Sequence, residues 1–200
     1  MPVGGIAAGQ VYLAGDGRLM HWDLYNIRNF TGYGRENYNL GLTPRAALKQ
    51  GFAVRVESAG KTVRRTLDCR GFPGVRFCGE YPIGTVEYED QDVPVSVKLE
   101  AFSPFIPLNA ADSALPAVVM RFTVKNTSKA AAEVTLGGWL QNGVCIESAK
   151  AAFGSLKNKI VSGRGRTMVL GSAVEQEAPA EARQPIVLAD FEGGDYGDWT

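Results

Sequence analysis

GEYPIGTVEYEDQDVPVSVKLEAFSPFIPLNAADSALPAVVMRFTVKN, residues 79 to 126, reads as three strands joined by proline-marked loops. From Val93 to Phe102 the residue types alternate. Val95, Val97, Leu99 and Ala101 form one face, and Ser96, Lys98 and Glu100 the other. Period two with β-branched residues marks a half-buried strand. Val118, Met120, Phe122 and Val124 repeat the pattern against Arg121, Thr123 and Lys125. Between them, Pro104, Pro107 and Pro116 lack a backbone N–H and fix φ, so no central strand runs through them. The loop they mark carries Phe105, Ile106 and Leu108. Apolar residues in such a loop are expected to plug an edge of the core; the alternative is that they face a partner domain or a ligand.

The same reading extends outward. Gln10–Ala14 and Leu19–Tyr25 predict a hairpin across the turn Gly15-Asp16-Gly17. Strands are expected at Phe52–Glu57, Thr62–Leu67, Val75–Cys78, Thr85–Tyr88 and Glu133–Gln141. Lys159–Ser162 and Thr167–Gly171 are expected to pair across Gly163-Arg164-Gly165-Arg166. No helix of ordinary length is predicted. Short strands at close spacing imply an all-β fold, an antiparallel β-sandwich of the supersandwich type. Ala173–Gln184 is rich in Ala and Glu and lacks bulky apolar residues. It predicts a linker, with one β-sandwich domain over residues 1–172 and the start of a truncated following module over 185–200.

Composition narrows the function. The chain has 200 residues, 21 basic and 21 acidic. Its net charge of zero and its lack of a basic run point away from nucleic acid and anionic membranes. No apolar run approaches the ~20 residues of a transmembrane helix. The opening MPVGGIAAGQ has no signal-peptide pattern, which leaves the compartment open. Its glycines suit tight backbone packing rather than phosphate binding, since no G-K-[ST] follows them. Cys69, Cys78 and Cys145 make an odd count and are expected as buried thiols rather than a disulfide scaffold. With His21 the one histidine and no C-x-x-C, neither a metal site nor a cofactor is expected.

Residues 26–48 form a long polar and aromatic stretch without period. Long loops in compact domains are often functional. Aromatic rings stack on pyranose faces, and amide or guanidinium groups bond hydroxyls. Trp22, Tyr33, Arg35 and Tyr38 are therefore the candidate substrate contacts; the plainer alternative is a loop packed on a neighbouring domain. Glu87 and Glu89 share one strand face and are the nearest thing to a carboxylate pair, but alternating charges on such a strand ordinarily form its solvated face. Asp16, Asp112 and Ser113 are read as turn residues.

PVGGIAAGQVYL with GRLMHWDLYN, GEYPIGTVEYED, VKLEAFSPFIPLN, DSALPAVVMRFTVKNTS and EVTLGGWLQNGV lie between residues 2 and 144. Together they resemble the N-terminal domain of glycoside hydrolase family 116, which includes the non-lysosomal β-glucosylceramidase and bacterial β-glucosidases, and the resemblance extends to about residue 171. The tail VLADFEGGDYGDWT is similar to the start of a sandwich module attached to carbohydrate enzymes. The family resemblance implies a β-sandwich packed in cis against a C-terminal (α/α)6 catalytic barrel. It implies a parent enzyme that cleaves β-glucosides or oligosaccharides with retention. Both catalytic carboxyls belong to that barrel, so no catalytic residue is assigned here. The alternatives are a stand-alone carbohydrate-binding sandwich, in which Trp22, Tyr33, Tyr38 or Trp139 would form an exposed stacking platform, or an interaction sandwich with no sugar role.

Overall fold

The computed structural model describes residues 1–23, 48–145 and 154–175. Strands dominate them, and every pairing is antiparallel. The chain divides into two compact units, Met1–Gly143 and Val144–Thr200.

The largest sheet of the first unit has four strands in sequence order: β6 (Gly74–Glu80), β7 (Ile83–Glu89), β8 (Val95–Phe102) and β9 (Val119–Asn126). β7, β8 and β9 are the three strands expected between residues 79 and 126. Register follows the alternation. Val86 pairs with Leu99 and Leu99 with Phe122, so one face of the sheet is continuously apolar. Val86, Tyr88, Val95, Val97, Leu99 and Ala101 are each at most 1% exposed. A one-residue slip would turn all of them to water, which is what pins the register.

A second sheet runs in the order β10 (Ala132–Leu140), β4 (Gln50–Ser58), β5 (Lys61–Thr66). Its inner face carries Val54 and Val56, both nearly inaccessible. The rings of Phe52 on β4 and Phe122 on β9 meet at 4.6 Å, joining the two inner faces. This is the sandwich that the alternation predicted.

The third sheet is β1 (Pro2–Val3), β2 (Gln10–Leu13) and β3 (Leu19–Asp23). β2 and β3 form the expected hairpin. Its turn is anchored on the four-stranded sheet, because the Tyr88 hydroxyl donates to Asp16 O at 2.9 Å. Gly17 sits there with φ of +87°, and a Cβ at that point would collide with the Tyr88 hydroxyl. Only glycine meets both demands.

The proline loop holds a single helical turn, α1 (Ala110–Ser113), with Asn109 as its cap: Asn109 Oδ1 accepts from Asp112 N at 3.1 Å. Ser113 is 1% exposed. Its hydroxyl accepts from Ile106 N and donates to Ile106 O, closing the loop on itself. The glycine-rich N-terminal segment lies against this loop. Ile6 N donates to Ser113 O, and a Cβ on Gly5 would strike the backbone of Leu115 and Ala114. These contacts bear out the reading of the opening glycines as packing residues.

In the second unit, β11 (Gly154–Gly163) and β12 (Arg166–Glu175) form a ten-rung hairpin. Arg164 and Gly165 both have positive φ, as a type I′ turn requires, and the pairing is the one expected from Gly163-Arg164-Gly165-Arg166. The expected linker over 173–184 begins inside β12, which runs on to Glu175. The rest of that linker and the module expected over 185–200 lie outside the described residues.

Two expectations are corrected. Cys69, Cys78 and Cys145 are exposed, not buried. Cys78 pairs with Thr85 on the outward face of β6, and Cys69 lies in the turn after β5. Phe105, Ile106 and Leu108 do not plug the core. They are 44%, 46% and 109% exposed. The Ser113 hydroxyl and the N-terminal segment occupy the inner side of their loop, which leaves these side chains facing outward.

Candidate functional site

The carboxylates come first, since a glycosidase needs two of them. Glu87 and Glu89 do share the outward face of β7, as expected, and both reach Arg76, at 3.3 and 4.0 Å. Glu100, on the same face, accepts from Arg121 at 2.9 Å and lies 3.5 Å from Lys98. The Arg121 hydrogen bond holds the Glu100 carboxyl below its ordinary range. This is a solvated, cross-strand ion-pair network.

A second cluster lies beneath the hairpin turn. Asp16 Oδ2 accepts from Arg18 Nε at 2.7 Å. Asp68 Oδ1 accepts from the Thr66 hydroxyl and from the N–H groups of Arg70 and Gly71, all at 2.9 Å. Burial pushes the Asp68 pKa up, but these donors and the Arg18 charge outweigh it and hold the carboxyl low. Tyr88 is pushed upward by burial and by the charges of Asp16 and Asp68. A general acid needs a carboxyl raised toward neutrality. Asp68 and Glu100 both move the other way. The cluster fastens the turn to the sheet and keeps Tyr88 a protonated donor.

Among the described residues no three His, Cys, Asp or Glu side chains gather to hold a metal. A shallow concavity of about 420 Å³ between the β4–β5, β7–β8 and β9–β10 connections is lined by residues such as Lys61, Asp90, Pro94 and Thr127, with no aromatic side chain.

Of the sequence-predicted contacts, Trp22 is 8% exposed, and its Nε1–H donates to Leu19 O at 3.2 Å. Its ring packs as a core residue and presents little surface to a ligand. Tyr33, Arg35 and Tyr38 lie outside the described residues.

The first unit also carries an apolar surface group. At one end of the first unit, Tyr81 meets Phe105 edge-on at 5.6 Å. Ile106 and Leu108 follow on the proline loop, with Leu115 beyond α1 and Ile6 hydrogen-bonded beside it. Each of these side chains is 44% exposed or more. Exposed hydrophobics scattered singly are ordinary, whereas a contiguous apolar patch is characteristic of interaction surfaces. The sequence named three of its members and assigned them to the core. Tyr81, Leu115 and Ile6 carried no signal of their own, because they come together only through the fold.

No curated protein matches the chain. The family model described as "beta-glucosidase 2, glycosyl-hydrolase family 116 N-term" matches residues 1–192. That span contains all of the sheets, the ion-paired outer face and the apolar end, and the chain belongs to the N-terminal domain family of glycosyl-hydrolase family 116.

Proposed function

We propose that this chain is the non-catalytic, supporting domain of a β-glucosidase, seating a helical catalytic domain of the same polypeptide against its apolar end. The observation that carries this reading is the exposure of Tyr81, Phe105, Ile106, Leu108 and Leu115 together. Large apolar side chains held in water at one place gain about 25 cal/mol per Å² when a partner covers them. The carboxylates reinforce it from the other side, being tied to Arg76, Arg121, Lys98 and Arg18 rather than poised for proton transfer. The substrate of the whole enzyme is then a β-glucoside or oligosaccharide, with glucosylceramide in the same class. Tyr33, Arg35 and Tyr38 are this chain's candidate contacts to it.

The test compares the purified chain with the polypeptide that includes the helical domain, using 4-nitrophenyl β-glucoside. Turnover is expected from the longer polypeptide alone. Saturable turnover by the purified chain would overturn the reading.

A further inference from the structure

Trp139 stands on β10 facing away from the core. It pairs with Gly51, whereas Gly138 pairs with the core-facing Phe52. Its six-membered ring lies flat over Gly51. A Cβ built there would meet Cζ2 first, then Cη2 and Cε2 at nearly equal distances of 2.8 and 2.9 Å. An edge-on approach along the Cζ2–H bond would hold both flanking atoms farther away than this, so the short distances place Gly51 over the ring plane rather than at its edge. The β4 backbone therefore supports one face of the indole. The residue is 48% exposed, so the other face is open.

The surroundings are small on one side and polar beyond. Gly137 and Ala53 pair next to Trp139 on the same face and leave a flat floor beside the ring. Past them, Thr135 pairs with Arg55, both exposed. On the other side the ladder continues as Gln141 N donates to Lys49 O at 2.7 Å. The exposed Gln141 side chain is fixed there by the bond that its Oε1 accepts from Lys49 N, at 3.0 Å.

From this arrangement we infer a carbohydrate-binding platform on the outer face of β10 and β4, in which a pyranose ring of an oligosaccharide stacks on Trp139 while Gln141, Thr135 and Arg55 bond its hydroxyls. A sugar has an apolar C–H face ringed by hydroxyls, which matches an indole bordered by an amide, a hydroxyl and a guanidinium. An apolar protein surface placed here would strip water from the Arg55–Glu57 ion pair, the Thr135 hydroxyl and the Gln141 amide N–H groups, which is costly. Thr135 lies four residues from Trp139, about 13 Å at ~3.3 Å per residue. A ligand that touches both is longer than one pyranose ring. The platform is separate from the apolar end and does not rest on the docking of a catalytic domain.

The full chain is titrated with cellopentaose, laminaripentaose, xylopentaose and maltopentaose by isothermal calorimetry, while tryptophan fluorescence and its quenching by acrylamide are followed. Saturable binding of at least one of them, with protection from acrylamide, is expected. Trp139→Ala weakens it by about tenfold or more, and Trp139→Tyr keeps part of it by restoring a ring. Arg55→Gln and Thr135→Val leave the platform in place and weaken binding less, so the inference stays testable even if Trp139→Ala fails to fold. Absence of binding by every one of these sugars, or binding that Trp139→Ala leaves unchanged in a folded chain, overturns it.

Discussion

Asp68 shows how one side chain in a turn can matter more than its position suggests. Three donors converge on its Oδ1, and they keep the folded-state pKa below the ordinary 3.8. A depressed carboxyl contributes stability that is complete above its unfolded pKa and lost as pH falls through the folded one. Asp68→Ala is therefore expected to cost about 1–2 kcal/mol at pH 7. The gap between wild type and variant should narrow steadily below about pH 4. Urea melts at pH 7 and pH 3 measure both values, and a gap that widens in acid would refute this account. The aspartate was legible in the sequence only as a polar residue near a strand end. Its donors are mostly backbone N–H groups, which every residue type supplies and which composition cannot reveal. The cysteines were misread for a related reason. A thiol has no strong preference visible to periodicity, and Cys78 fell on the outward phase of β6.

Strand β8 is the element in which sequence and structure agree most closely. Its burial alternates without a break from Val95 to Phe102. Leu99 is fully buried, and its neighbour Glu100 faces solvent in an ion pair. Leu99→Ala is expected to cost about 2–5 kcal/mol, since it opens a cavity among Val86, Tyr88 and Phe122. Glu100→Gln, one residue away, should leave the unfolding midpoint close to wild type, and chemical denaturation of the two variants checks the contrast. Alternation was readable because one face of this sheet is dry and the other wet. β6 has the same partner but is exposed along most of its length, and Gly74 and Gly79 frame it. Only its centre was foreseen. α1 is a single turn between prolines, too short to establish a period, and β1 is two residues long. The proline loop shows the deeper limit: apolarity says that Phe105, Ile106 and Leu108 seek cover, but not whether this sheet or another domain provides it.

For the molecule as a whole, the apolar end ought to be separable from the core that it adjoins. Ile106→Lys combined with Leu108→Glu is expected to lower binding of a hydrophobic dye such as ANS. Stability of the chain should change by no more than about 0.5 kcal/mol, the usual range for surface positions. In the longer polypeptide the same pair should weaken association of the two domains, which limited proteolysis would detect. A large loss of stability in the chain alone would mean that these side chains serve the sandwich after all. The all-β class was legible from strand spacing and turn residues, and residues 79–126 sufficed to predict the central sheet. The division at Gly143 was not legible, because no composition change marks it. Two long-range contacts also set the order of events during synthesis. The segment that carries Ile6 and Asp16 leaves the ribosome before the residues that seat it: Ile6 is fixed by Ser113, 107 residues later, and the Asp16 turn by Tyr88. At ~5–20 residues per second, translation leaves that segment without its seat for about 5–20 s. During that interval its apolar side chains lack their cover, and the arrival of Tyr88 and then of the proline loop supplies it.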